Sequence, residues 1–353
     1  IACGGPRRRI PRPEPEPPEE RALAAARDRG DVAAIRAHGW AMWARVLPAW
    51  ARWPNSDAVL GLPERPFRPL RPFRAGAAIE AETLPVMFTV AFDPTAAAHI
   101  QRYRLGARAA LRAWDAVPEF PRTAVAIKIV WYPIHRDRPT ALPIWDGAPT
   151  RPDADGNPDR TWPRAIVVDP RAPTAGAPAP ASTSELRTVP ATAFLARPIA
   201  TAAELAAAQR IAGDPTLALG DLALVVGMHI TTKDLPDWAW ATFWWHDRPD
   251  DGPYAAGRPA ALGGPARHYL MDAVVSATTP AGPGGGPPAC MNPWLEARFP
   301  GGLASSCLTC HQRAAHGAAD FLPVPRAPLA ADDPYLRGKV TTDFLWTLAL
   351  EVR

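Results

Sequence analysis

Cys307-Leu308-Thr309-Cys310-His311, near the carboxyl end, is the stretch whose residue types and spacing carry the most specific chemistry in this chain. Two thiols at this separation can each form a thioether to one vinyl group of a single porphyrin, and the adjoining histidine then lies under the iron as its proximal ligand. Two other readings compete. A zinc site needs further ligands, and the remaining cysteines, Cys3 and Cys290, form no second paired motif. A thioredoxin-like dithiol belongs beside a βαβ pattern, which this sequence does not display. One covalent haem c, held by Cys307 and Cys310 with His311 on the metal, is therefore the expected cofactor.

What such a haem does depends on the position across the ring from His311. Met228, His229, His246, His268, Met271, Met291 and His316 are the side chains able to fill it. Residues of these types are more often structural than ligating. His229 and His246 sit in apolar strand-like runs and are the strongest candidates for the pocket, as ligand or as proton donor. His316 follows His311 closely and belongs on the same side of the ring.

The elements that must position these residues come from a chain of 353 residues with 45 prolines and a formal charge of +4. That length suffices for a sizeable core, while the proline content assigns much of it to loop and linker. The positive charge is dispersed through arginines, so nucleic acid is not an expected partner. No apolar run reaches membrane-spanning length. Ile1-Ala2-Cys3-Gly4-Gly5 resembles the tail of a lipoprotein signal, whose cleavage would leave Cys3 as the lipidated amino terminus, and residues 1–20 are expected to be the tether. Haem c attachment takes place outside the cytoplasm, so both features point to the periplasm.

Residues 21–75 are expected to hold one or two amphipathic helices ended by Pro54, then a connector. The haem domain is expected over 76–353. It opens with a strand from Leu84 to Phe92, followed by a helix from about Thr95 to Trp114 and a strand from Val125 to Val130. Alternation in that last strand puts Ala126, Lys128 and Val130 on one face, and a lysine in such a place is ordinarily at an edge or facing solvent. A long Pro and Ala-rich excursion occupies 137–214. Leu222 to Ile230 and Trp238 to His246 then form a hairpin, with Trp240 and Trp244 on one face and Phe243 and Trp245 on the other. Residues 251–288 are expected to be loop, and a short helix is expected from Cys290 to Glu296.

Taken in order, these groups resemble the P-460 class of monohaem cytochromes and their relatives the cytochromes c′-beta. Asp93-Pro94 and Glu119-Phe120 before the strand of Lys128, the run Asp237-Trp238-Ala239-Trp240 with Phe243, and Cys307 to His311 followed by Ala314 carry the likeness, over about 84–132 and 222–320. It implies an α+β fold, an antiparallel β-sheet flanked by helices, assembled as a homodimer. It also implies a five-coordinate haem bordered by Trp240 and Phe243, with Lys128 at the position of the lysine that becomes joined to the haem edge. The implied activity is oxidation of hydroxylamine or binding of nitric oxide, a small-molecule ligand, with a redox partner protein. A six-coordinate electron-transfer cytochrome is the alternative, and a haem-holding module without turnover the third reading.

Overall fold

The computed structural model describes residues 18–69, 85–147, 162, 164–173, 186–282, 285–296, 302–317, 327–330 and 332–352. Cys3 and nearly all of the 1–20 tether lie outside these residues, as does part of the 137–214 excursion.

The amino-terminal helices are α1 (Pro18–Arg29) and α2 (Val32–Val46), the second capped by Asp31, whose side chain accepts from the Ala34 N–H. A short helix α3 (Ser56–Leu60) follows, then β1 (Arg68–Pro69) and β2 (Met87–Phe92). Asp93 caps α4 (Pro94–Arg102) by accepting from Ala96 N–H and also accepts from Val125 N–H, tying this helix start to the next strand. The expected helix to Trp114 breaks after α4 and resumes only as α5 (Arg108–Leu111). Gly106 lies between them, where a Cβ would come within 2.3 Å of the Leu60 carbonyl oxygen. The close approach to α3, not the helical pattern, decides the path of the chain here.

The strands β3 (Val125–Ile134), β8 (Leu222–Thr232), β9 (Ala239–Trp245) and β10 (Tyr269–Val274) complete the main sheet. Its order is β1-β2-β3-β8-β9-β10, all antiparallel, with β7 (Ala196–Pro198) pairing to the start of β8. Strand β10 lies within the stretch expected to be loop. Its apolar run is short and flanked by Gly and Pro, and pairing with β9 rather than local pattern makes it a strand. Within the excursion, β4 (Thr140–Ile144), β5 (Arg164–Asp169) and β6 (Thr188–Pro190) form a separate small sheet, and α6 (Ala202–Ala212) returns the chain to β8. Cys290 bridges to Ser306 and Pro293–Glu296 form a turn where a short helix is expected. After them come α7 (Cys307–His311), the two-residue pair β11 (Ala315–His316) and β12 (Val340–Thr341), and α8 (Trp346–Glu351). The fold is thus α+β, a mostly antiparallel sheet flanked by helices.

Each face of the main sheet has its own apolar core. On one face the cross-strand row Thr89, Ile129, Met228, Phe243 and Met271 supports α2, whose Trp43 stacks on Phe243 at 4.3 Å. On the other face α3, α4, α7 and α8 contribute apolar residues around Phe92, Trp238 and Trp240.

Candidate cofactor site

The second face is where the chemistry collects. Register places Val90, Lys128, His229, Thr242 and Asp272 in one cross-strand row, and Phe92, Ala126, Thr231, Trp240 and Val274 in the next. Lys128 and His229 are therefore direct neighbours on adjacent strands. With Thr231 and Trp240 they line a cavity of about 730 Å³ that is also lined by Cys307, Cys310 and His311 of α7 and by residues of α8. That volume lies within the range of small-molecule and cofactor sites. Exposed Arg65 and Arg210 mark where it opens to solvent. Among the sequence-derived site residues, Cys307, Cys310, His311, Lys128, Trp240 and His229 converge here.

Phe243 and His246 do not. Phe243 differs in parity from Trp240, so the same strand turns its ring to the α2 side of the sheet, where it is wholly buried. His246 lies beyond the end of β9 in a polar cluster, with Arg164 paired to Asp247 at 2.7 Å beside it. Of the other residues weighed for the sixth position, Met228 and Met271 lie in the α2-side row, His268 stacks on Trp245, and His316 borders a different cavity. His229 alone among these candidates lines the same cavity as His311.

His311 is held in a defined state. Its Nδ1 lies 2.6 Å from the Phe344 carbonyl oxygen, which can only accept, so Nδ1 carries the proton. Burial pushes the ring down to about 3, against the raising effect of that carbonyl, with His229 and Lys128 adding to the depression. The neutral ring then has its lone pair on Nε2, the form a metal ligand requires. The Trp240 ring lies 4.2 Å from it. The carbonyl itself is aimed by an unusual turn, since Asp343 and Phe344 have φ of 45° and 68°. Non-glycine residues rarely hold such values unless neighbours enforce them. Buried Lys233 does so, donating to Asp343 at 2.7 Å and to the Pro236 carbonyl at 2.6 Å, while Phe120 N–H donates to the other Asp343 oxygen.

Across the cavity His229 faces Glu296, with Nε2 3.3 Å from Oε1. Burial alone would lower its pKa, but Glu296 and Cys307 outweigh that and bring it up to about 9. Glu296 is set in place by Asn292, whose N–H donates to Oε2 at 2.6 Å. Asn292 Nδ2 in turn donates to Thr242 Oγ1 and to the Phe243 carbonyl, both at 2.8 Å. Gly227 makes this docking feasible, because a Cβ there would lie 3.0 Å from the Asn292 amide. Lys128, whose Nζ lies 4.7 Å over the Phe88 ring, is lowered by burial, partly offset by Glu296. Cys310 is raised by burial to about 12. Cys307 is drawn down to about 6 by the adjoining Cys290 thiol first and, against burial, by His229.

Glu296, Lys233 and Asp343 are not among the residues the sequence singles out, and Cys290 stands out there only as a cysteine without a paired motif. Glu296 stands four positions after Asn292, the spacing of a local turn, and that was the available signal. The others are brought in by long-range contacts. Among the described residues no group of three or more His, Cys, Asp or Glu could hold a metal ion, so the zinc reading gains nothing. A porphyrin, which asks the protein for one imidazole and two thiols around an apolar hollow, fits the residues present. No protein-family model matches this chain, and no curated protein or solved structure matches it either.

Proposed function

We propose that this chain is an exported monohaem c-type cytochrome, with thioethers at Cys307 and Cys310, His311 as iron ligand, and an open or weakly capped distal side that binds or oxidises a small nitrogen oxide such as hydroxylamine or nitric oxide. The observation that carries the reading is the His311 to Phe344 hydrogen bond, which leaves Nε2 free on a ring that lines the same cavity as both thiols. Bound there, iron porphyrin supplies a coordination site and a one-electron couple. His229 supports the open-site form. Glu296, 3.3 Å away, favours its protonated form, a proton donor without a free lone pair. Together the two side chains can pass a proton to or from a ligand in the cavity, and Lys128 adds a donor beside them.

The resemblance to the P-460 class supports the choice of a nitrogen oxide, a redox partner protein and a homodimer as the remaining parts of this reading. Periplasmic location follows from haem c attachment. The lipid anchor at Cys3 predicts a diacylglyceryl group on the native amino-terminal peptide in mass spectrometry, and an unmodified peptide defeats it.

The test is absorption of the ferrous protein, made in a host competent in cytochrome c assembly, with and without carbon monoxide or nitric oxide. A ligand-induced spectral shift is expected. A six-coordinate low-spin spectrum that carbon monoxide leaves unchanged overturns the open site and favours the electron-transfer alternative, with His229 as the sixth ligand. Pigment lost on denaturing extraction overturns covalent attachment.

A further inference from the structure

Cys290 has no role in holding haem, yet it is fully buried with its sulfur 3.7 Å from that of Cys307. The two backbones are cross-tied. Cys290 N–H donates to the Ser305 carbonyl at 2.8 Å, and Cys307 N–H donates to the Cys290 carbonyl at 3.1 Å. The turn that carries Cys290 is also fastened to the sheet through Asn292. A disulfide needs sulfurs about 2.05 Å apart, so closing the pair asks for a side-chain adjustment while the backbone ties remain. Cys307 faces the cavity, which opens at Arg65 and Arg210 and gives a small oxidant access.

We propose that Cys290 and Cys307 form a disulfide in the haem-free chain, and, resting on the haem reading above, that this bond must be reduced before haem is attached at Cys307. With glutathione disulfide as oxidant, the Cys307 sulfur attacks one glutathione sulfur and expels a glutathione thiolate, which takes up the proton lost from Cys307. The Cys290 thiol then gives up its proton and displaces the second glutathione thiolate from Cys307. Two protein thiols lose two electrons in all, and one glutathione disulfide becomes two thiols. A sulfur cannot carry this disulfide and a thioether at once. Cys290 thereby competes with the porphyrin vinyl group, and Cys310 is left as the single free attachment thiol.

The full chain made without cytochrome c assembly, exposed to glutathione disulfide, alkylated and mapped by non-reducing peptide mass spectrometry, should contain a Cys290–Cys307 link with Cys310 alkylated. Cys290→Ala should abolish that link. A Cys307–Cys310 link, a link to Cys3, or full alkylation of the parent overturns the proposal. This map is independent of haem, so a chain that forms the link yet never takes up pigment sinks the functional reading and leaves the disulfide standing. In the second arm, ferrous haem is offered to the oxidised chain before and after dithiothreitol. Two-thioether product is expected only after reduction, and its formation without reductant overturns the second half of the proposal.

Discussion

The two faces of the main sheet are made by the same strands and do opposite things. One residue of β8, Met228, points into the row of Ile129 and Phe243 beneath α2, and the next, His229, points into the cavity beside Lys128. On the α2 side, aromatic rings from helix and sheet meet face to edge and face to face, with Trp40 and Trp43 both against Phe243. On the other side the space above the strands is left as a hollow, walled by α7 and α8. Alternation lets one strand contribute to a packed core and to a polar site at once. Stability and chemistry should therefore separate by parity along the sequence, and substitutions on the two faces test whether they do.

The largest effect is expected on the packed face. Phe243→Ala removes a fully buried ring that stacks on Trp43, and a change of this kind costs about 3–5 kcal/mol. Urea denaturation should show the loss, while carbon monoxide binding to the proposed haem should be unchanged in the folded fraction. Altered ligand binding in folded protein would mean that the two faces are not independent. Gly227→Ala comes next, because its new methyl meets the Asn292 amide across the cavity-side row. Such overpacking costs roughly 1–3 kcal/mol. Displacing Asn292 also moves Glu296 away from His229, so the pH dependence of ligand binding to the ferrous protein should change with it. An unchanged pH profile would show that Glu296 does not depend on that anchor.

Much of this division could be read from sequence, and the limits are physical. The strands around Lys128, His229 and Trp240 carry strong β-branched and aromatic runs, so their existence and their faces were legible. The family resemblance puts Phe243 on the haem side although its parity opposes Trp240, and in the structure parity decides. Strand β10 is hard to read because its apolar run is short and sits in a Gly and Pro-rich stretch, and pairing with β9 decides it. The Cys290–Cys307 contact and the Lys233–Asp343 pair join residues far apart in the chain, and no local pattern encodes such meetings. The motif at Cys307 to His311 was plain, but the turn that fixes His311 came from two residues in unusual backbone states, which composition does not announce.

A smaller effect is expected at Asp272, at the end of the row that holds Lys128 and His229. Burial raises this carboxyl to about 7 from an ordinary 3.8. The folded chain then keeps a proton that the unfolded chain releases between those two values. The stability contributed is fully present below pH 3.8 and is lost as pH rises through about 7. Asp272→Asn cannot ionise and should gain in stability over the parent as pH rises through about 7, with the difference fading in acid. Thermal melts across this range check it, and a difference that does not vary with pH would contradict the assignment.

The smallest change in stability is expected at Lys128, and its interest lies in the contrast with Phe243. Burial lowers the Lys128 pKa, so the folded protein resists holding that charge, while the Phe88 ring and Glu296 favour it. Burial is the larger contribution, so the charge is held at a net cost. A methionine of similar length fills the same space without a charge, so Lys128→Met in the haem-free chain should leave stability unchanged or raise it by less than about 1 kcal/mol. The spectrum is where it should matter. A lysine joined to the haem edge would give the ferrous protein a red-shifted, broadened Soret band, and Lys128→Met would restore an ordinary c-type band. A parent protein with an ordinary band has no such bond, and Lys128 then serves the cavity only as a cation beside His229. Either spectrum, combined with an almost unchanged melting curve, would place the purpose of Lys128 in the cavity and not in the core that its own strand supports on the other side.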